Sequence, residues 1–131
     1  MKITADTNVL VRVLTEDDAE QSKAAQLALR KADIVALTTP TLCELVWVLQ
    51  GYKIRPSDIA ETIRGLLNSA NIVVNRSTVE AGLAMLDARG DFADGVIAFE
   101  GNWLGADTFV SFDKKAVRLL EAQGKSARLL S

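Results

Sequence analysis

Along the chain, short apolar runs of β type alternate with longer stretches whose apolar residues recur at helical spacing. The short runs predict strands over Lys2–Asp6, Asp33–Leu37, Asn71–Val74, Thr108–Phe112 and Ala127–Leu130. The longer ones predict helices over Asn8–Leu14, Ala19–Lys31, Pro40–Tyr52, Pro56–Asn68, Thr78–Arg89, Asp91–Gly105 and Asp113–Gln123. Thr39-Pro40 reads as an N-cap followed by an N1 proline, and Ser57 and Ser77 are candidate caps for the helices that follow them. Strands separated by helices cannot pair as hairpins, and continuous apolar strands are those covered on both sides. The pattern therefore predicts an α/β sandwich with a mainly parallel central sheet flanked by helices on both faces. No Gly/Ser/Pro-rich linker and no internal repeat interrupts it, which predicts a single domain over residues 1–131.

In such sheets ligands bind beyond the carboxyl ends of the strands. Asp6 stands where the first strand gives way to Asp6-Thr7-Asn8, and Asp113 follows the apolar run Thr108–Phe112. Each is singly explained as a helix cap. Glu44 is harder to explain that way, because its helix, TPTLCELVWVLQ, is apolar nearly all round. Such a helix is expected to be buried, with its one carboxylate either desolvated against an arginine or opening into a cavity. In the helix over 91–105, Asp91 and Asp94 share a face with Gly95, Ala98, Gly101 and Asn102, suited to close approach by another backbone or a ligand. The opposite face carries Phe92, Val96, Ile97, Phe99, Trp103 and Leu104. Asp91 is well placed as a cap, whereas Asp94 lies one turn further in.

Composition narrows the chemistry. The chain has no histidine and one cysteine, Cys43. Triads that use histidine, zinc sites built on Cys and His, and internal disulfides are excluded, leaving carboxylates, lysines, hydroxyls or a hard metal. Of its 131 residues, 49% are hydrophobic and 24% charged, ordinary for a globular domain. No run approaches the roughly 20 apolar residues of a membrane span, and the N-terminus lacks a secretory layout, which predicts a cytoplasmic protein. Carboxylates gathered at one site repel one another unless a cation neutralises them. Oxygen-only ligation selects Mg2+ or Mn2+, which polarises a phosphate oxygen and lowers the pKa of a bound water. Phosphodiester hydrolysis is the chemistry this supports.

Four stretches, ADTNVLVRVLTEDDAEQSKAA, the helix containing Glu44, DFADGVIA and FVSFDKKA, make the chain resemble PIN-domain ribonucleases, specifically the VapC-type toxins of bacterial toxin–antitoxin pairs. The resemblance spans essentially the whole chain. It implies that Asp6, Glu44, Asp94 and Asp113 form an acidic quartet around Mg2+ or Mn2+. Asp6 and Asp94 would be the metal ligands, and Asn8, Asp91 and Ser111 would support them. Thr7 or Asn8 would fix the Asp6 carboxylate or a water held by the metal. The resemblance also implies RNA cleavage by a metal-activated water, homodimers, and inhibition by a small VapB-like antitoxin. Ala19 stands where many relatives carry proline, which touches nothing catalytic.

A net charge of −2 gives no sign of a polyanion binder overall, so RNA contact must come from a local set among Arg12, Lys53, Arg55, Lys114, Lys115 and Arg118. The apolar stretch LVWVLQGY exceeds what one small core needs, which also predicts association. Two other readings stay open on the residues. An aspartate-based phosphotransfer domain, of phosphatase or receiver type, would also place an Asp after the first strand, although Asn8 occupies the position where a phosphatase of that kind carries its second Asp. A non-catalytic interaction module would keep the fold without the chemistry.

Overall fold

The computed structural model describes residues 1–131 and contains every predicted element in the predicted order. In Met1–Asn75, the strands β1 (Lys2–Thr4), β2 (Ile34–Ala36) and β3 (Ile72–Val73) form a parallel sheet in the order β1-β2-β3. Ile3 pairs with Val35, and Val35 with Ile72. Each crossover carries two helices: α1 (Thr7–Thr15) and α2 (Ala19–Lys31), then α3 (Thr39–Gly51) and α4 (Pro56–Leu67). The core of this unit holds Leu10, Val35, Leu42, Leu45, Leu49, Ile59 and Ile63, all essentially inaccessible to solvent. The Asn71 amide donates to the carbonyls of Leu29 and Ala32, at 2.8 and 3.1 Å. It thereby satisfies carbonyls that the end of α2 leaves unpaired and fastens the start of β3 to that helix.

The remaining residues, Arg76–Ser131, form a second unit. Helices α5 (Arg76–Asp87) and α6 (Phe92–Trp103) make a hairpin, followed by β4 (Phe109–Ser111), α7 (Lys114–Ala122) and β5 (Ala127–Leu129). The strands β4 and β5 pair in parallel around α7, with Val110 opposite Arg128. Every ladder in the chain is thus parallel, as strands joined through helices require. Gly82 and Gly95 permit the close approach of α5 and α6: a Cβ on Gly82 would meet the Phe92 ring, and one on Gly95 would overlap the Ala81 carbonyl oxygen. The small face of α6 thus receives a neighbouring backbone at Gly95. Of its apolar face, Phe92 and Val96 are buried, while Ile97, Trp103 and Leu104 are exposed.

Three expected caps are corrected. Pro56 itself takes the first position of α4, which makes Arg55 the cap and puts Ser57 inside the helix. Thr38 rather than Thr39 caps α3, and its hydroxyl donates to the Thr41 hydroxyl instead of closing the helix end. Ser77 lies within α5, which starts at Arg76.

Candidate active site

In the first unit, Asp6 follows β1 in an extended conformation, and its Oδ1 accepts the Val9 N–H at 3.1 Å, capping α1. Neither the Thr7 nor the Asn8 side chain holds that carboxylate. The cap comes from the main chain, because the geometry of a helix start aims the third N–H at the cap residue. Capping uses one carboxylate oxygen and leaves Oδ2 available. Asn8 lies exposed in the first turn of α1.

Glu44 departs from the expectation of burial. It is exposed on α3, as is Trp47 at 75%, while Leu42, Leu45, Val46 and Leu49 form the covered side. An apolar helix surface is not bound to be covered, and here half of it is not. No buried arginine pair is therefore needed to explain Glu44, and the carboxylate stands free on the helix surface. The end of α3 is tied to the turn between α1 and α2, where the Tyr52 hydroxyl donates to Asp17 Oδ2 at 2.6 Å. That bond holds the Tyr52 pKa above its ordinary value, since ionisation would remove the donor. Nothing in the sequence spacing of residues 17 and 52 pointed to it.

In the second unit, Asp91 caps α6 through Oδ1, which accepts the Ala93 N–H at 3.1 Å. Asp113 caps α7 through Oδ1, accepting from Lys115 and Ala116 at 2.9 and 3.2 Å. The Ser111 hydroxyl oxygen accepts the Asp113 N–H at 2.9 Å, so Ser111 sets the backbone from which the Asp113 carboxylate projects. Asp94 makes no cap. It lies half-buried in the first turn of α6, and its pKa is raised, first by burial, then by the charge on Asp91 and then by the charge on Asp113. The charges of Asp91 and Asp113 thus both act on Asp94, although 22 positions separate Asp91 from Asp113.

Asp94 carries a carboxylate that burial and two neighbouring charges both disfavour when ionised, and Asp91 and Asp113 each retain an uncommitted Oδ2. That donor set suits a hard divalent cation, which removes the penalty by supplying opposite charge. In neither unit do three acidic side chains close into a ready-made cage. The large cavity of the second unit, about 1050 Å³ and lined by Ser77, Glu80, Ala98, Asn102, Thr108 and Lys125 among others, touches none of the three aspartates. The three aspartates stand at the N-terminal ends of α6 and α7, outside that cavity.

Among protein families, the family described as PIN domain matches residues 3–121. None of the curated proteins compared with the chain matches it. No helix is long and apolar enough to cross a membrane.

Proposed function

Since the chain belongs to the PIN-domain family, whose nuclease-type fold generally serves hydrolases that use divalent metal ions, we propose that it is a Mg2+- or Mn2+-dependent endoribonuclease. The observation that carries this reading is the match of the PIN-domain family over residues 3–121, and the half-buried Asp94, on which the charges of Asp91 and Asp113 both act, offers the oxygen donor that a cation would relieve. The proposal assigns Asp6, Glu44, Asp94 and Asp113 to catalysis, with Asp6 and Asp94 as metal ligands and Asn8, Asp91 and Ser111 in support. When bound, such a cation polarises a phosphate oxygen and makes water a competent nucleophile near neutral pH.

The chain's own residues supply positioning. Asp6 and Asp113 are fixed by their caps, each with one oxygen held by backbone N–H groups and the other free. Ser111 holds the Asp113 backbone. Asp94 is more basic than an ordinary carboxylate, which strengthens it as an oxygen donor. Purified protein is expected to cut single-stranded RNA with Mg2+ or Mn2+ and to stop with chelator. Cleavage that survives exhaustive chelation overturns the mechanism, and a covalent phosphoryl adduct on Asp6 would instead favour the phosphotransfer reading.

The proposal extends to a toxin role in a type II toxin–antitoxin pair, with a VapB-like antitoxin as partner and a homodimer as the working form. Support comes from the motifs that resemble VapC-type toxins and from an exposed aromatic surface. Trp47 is 75% exposed and Tyr52 46%, beside a surface hollow of about 510 Å³ lined by Trp47, Val48, Gln50, Gly51 and Tyr52. Inducible expression is expected to arrest growth, and co-expression of a short partner chain from the adjacent reading frame to restore it. Growth unaffected by the active enzyme removes the toxin role and leaves the nuclease.

A further inference from the structure

We propose that the exposed face of α7, carrying Lys114, Lys115 and Arg118, binds the phosphodiester backbone of single-stranded RNA, an inference that rests on the nuclease reading and names its substrate-binding residues. Six basic residues were candidates, and the structure separates them. Arg55 is paired with Asp58 at 3.0 Å, and the Arg12 guanidinium donates to Gln21 Oε1 at 2.7 Å. Lys53 is a single exposed cation on a turn with φ of 61°. Lys114, Lys115 and Arg118 are all exposed and engage no acidic side chain. Spaced at i, i+1 and i+4, they lie on the outer side of a helix whose inner side buries Ala116, Val117 and Leu120.

Solvated lysines are common, but their arrangement here works against the helix that bears them. Helix α2 follows the usual polarity, with Glu20 in its first turn and Arg30 and Lys31 in its last, as does α4 with Asp58 and Arg64. Helix α7 reverses it: two lysines open the helix, Glu121 stands near its end, and its first turn holds no acid. Cations at a helix N-terminus oppose the macrodipole, so the pattern costs helix stability. The cap that offsets this cost is Asp113, whose carboxylate accepts the Lys115 and Ala116 N–H groups and which the nuclease reading assigns to catalysis. The cations therefore begin at the residue after the carboxylate, which places phosphate-attracting charge next to the chemistry on the same rigid element. Contacts of this kind recognise the backbone and carry no sequence information.

The test is binding of a fluorescently labelled single-stranded RNA to the full chain in chelator, where it is not cut, followed by anisotropy across about 50–200 mM salt. The proteins compared are the parent, Lys114→Ala/Lys115→Ala, Lys114→Arg/Lys115→Arg, and the charge-matched control Lys23→Ala/Lys31→Ala on α2. Each phosphate contact on a single strand contributes about 0.7 to the slope of log K against log salt, so the α7 alanine pair is expected to lower that slope by about 1.4. It should weaken RNAs of different sequence by a similar factor, with the arginine pair and the α2 control close to the parent. Thermal melts keep the result interpretable, since removing cations from the start of α7 should leave Tm unchanged or raised. A parent that binds RNA, with an α7 alanine pair of unchanged slope and affinity, overturns this inference while leaving the nuclease reading intact. A parent that neither binds nor cuts RNA overturns both.

Discussion

Gly95 on α6 lies against the main chain of Ala81 on α5, so closely that any Cβ at position 95 would overlap the Ala81 carbonyl oxygen and press on Met85. The obstacle is backbone, which cannot rotate aside, so Gly95→Ala must push the two helices apart. The expected loss is about 1–3 kcal/mol or more, read from the midpoint of denaturant unfolding. A neutral result would mean that α5 and α6 are not in this contact. Because Asp94 precedes Gly95, the same substitution should also depress any metal-dependent activity.

Asp94→Asn separates chemistry from stability. In the folded chain the Asp94 pKa is raised above its unfolded value, so the folded state holds the proton more tightly. Its contribution to stability is full below the ordinary carboxylate range and is lost as pH rises through the raised value. Asparagine cannot ionise. The variant is expected to show a flatter stability profile across mildly acidic pH and to equal or exceed the parent at neutral pH without metal, while cleavage disappears. Its stabilisation by added Mg2+ should shrink as well. Melts of both proteins across that pH range check the sign, and a parent-minus-variant stability difference that rises with pH through the same window contradicts it.

Glu44→Gln is expected to change stability by no more than about 0.5 kcal/mol, because Glu44 is exposed rather than paired in the core. Loss of several kcal/mol would restore the buried ion pair that the apolar helix first suggested. Loss of cleavage at unchanged stability is the result the proposed catalytic role requires.

Thr78 is 1% exposed and its hydroxyl has no hydrogen-bond partner. A buried, unsatisfied hydroxyl carries an uncompensated desolvation penalty, and valine has nearly the same shape without it. Thr78→Val is expected to stabilise the chain by about 1 kcal/mol in denaturant unfolding; destabilisation would show that the hydroxyl is satisfied in solution.

Trp47→Glu places a charge on the exposed aromatic surface of α3. The fold should survive, since the side chain is not in the core, and sedimentation should show loss of the proposed homodimer. A parent that is already monomeric at micromolar concentration removes that proposal.

Local periodicity determined the twelve elements and their order, because helices and strands are written in the spacing of neighbouring side chains. It also placed Asp6, Asp91 and Asp113 at helix starts, where a carboxylate before an apolar run has an obvious local partner. Tertiary structure decided the rest. The helical wheel of α3 shows apolar residues all round but not which side another element covers, so the exposure of Glu44 and Trp47 was hidden in it. The likeness of two strand ends says nothing of which strands pair, and the chain divides its five into ladders of three and two. Asp94 is the clearest case. Its place in the first turn of α6 was legible, but its raised pKa depends on burial and on Asp113, brought near by packing across an interval that no local pattern encodes.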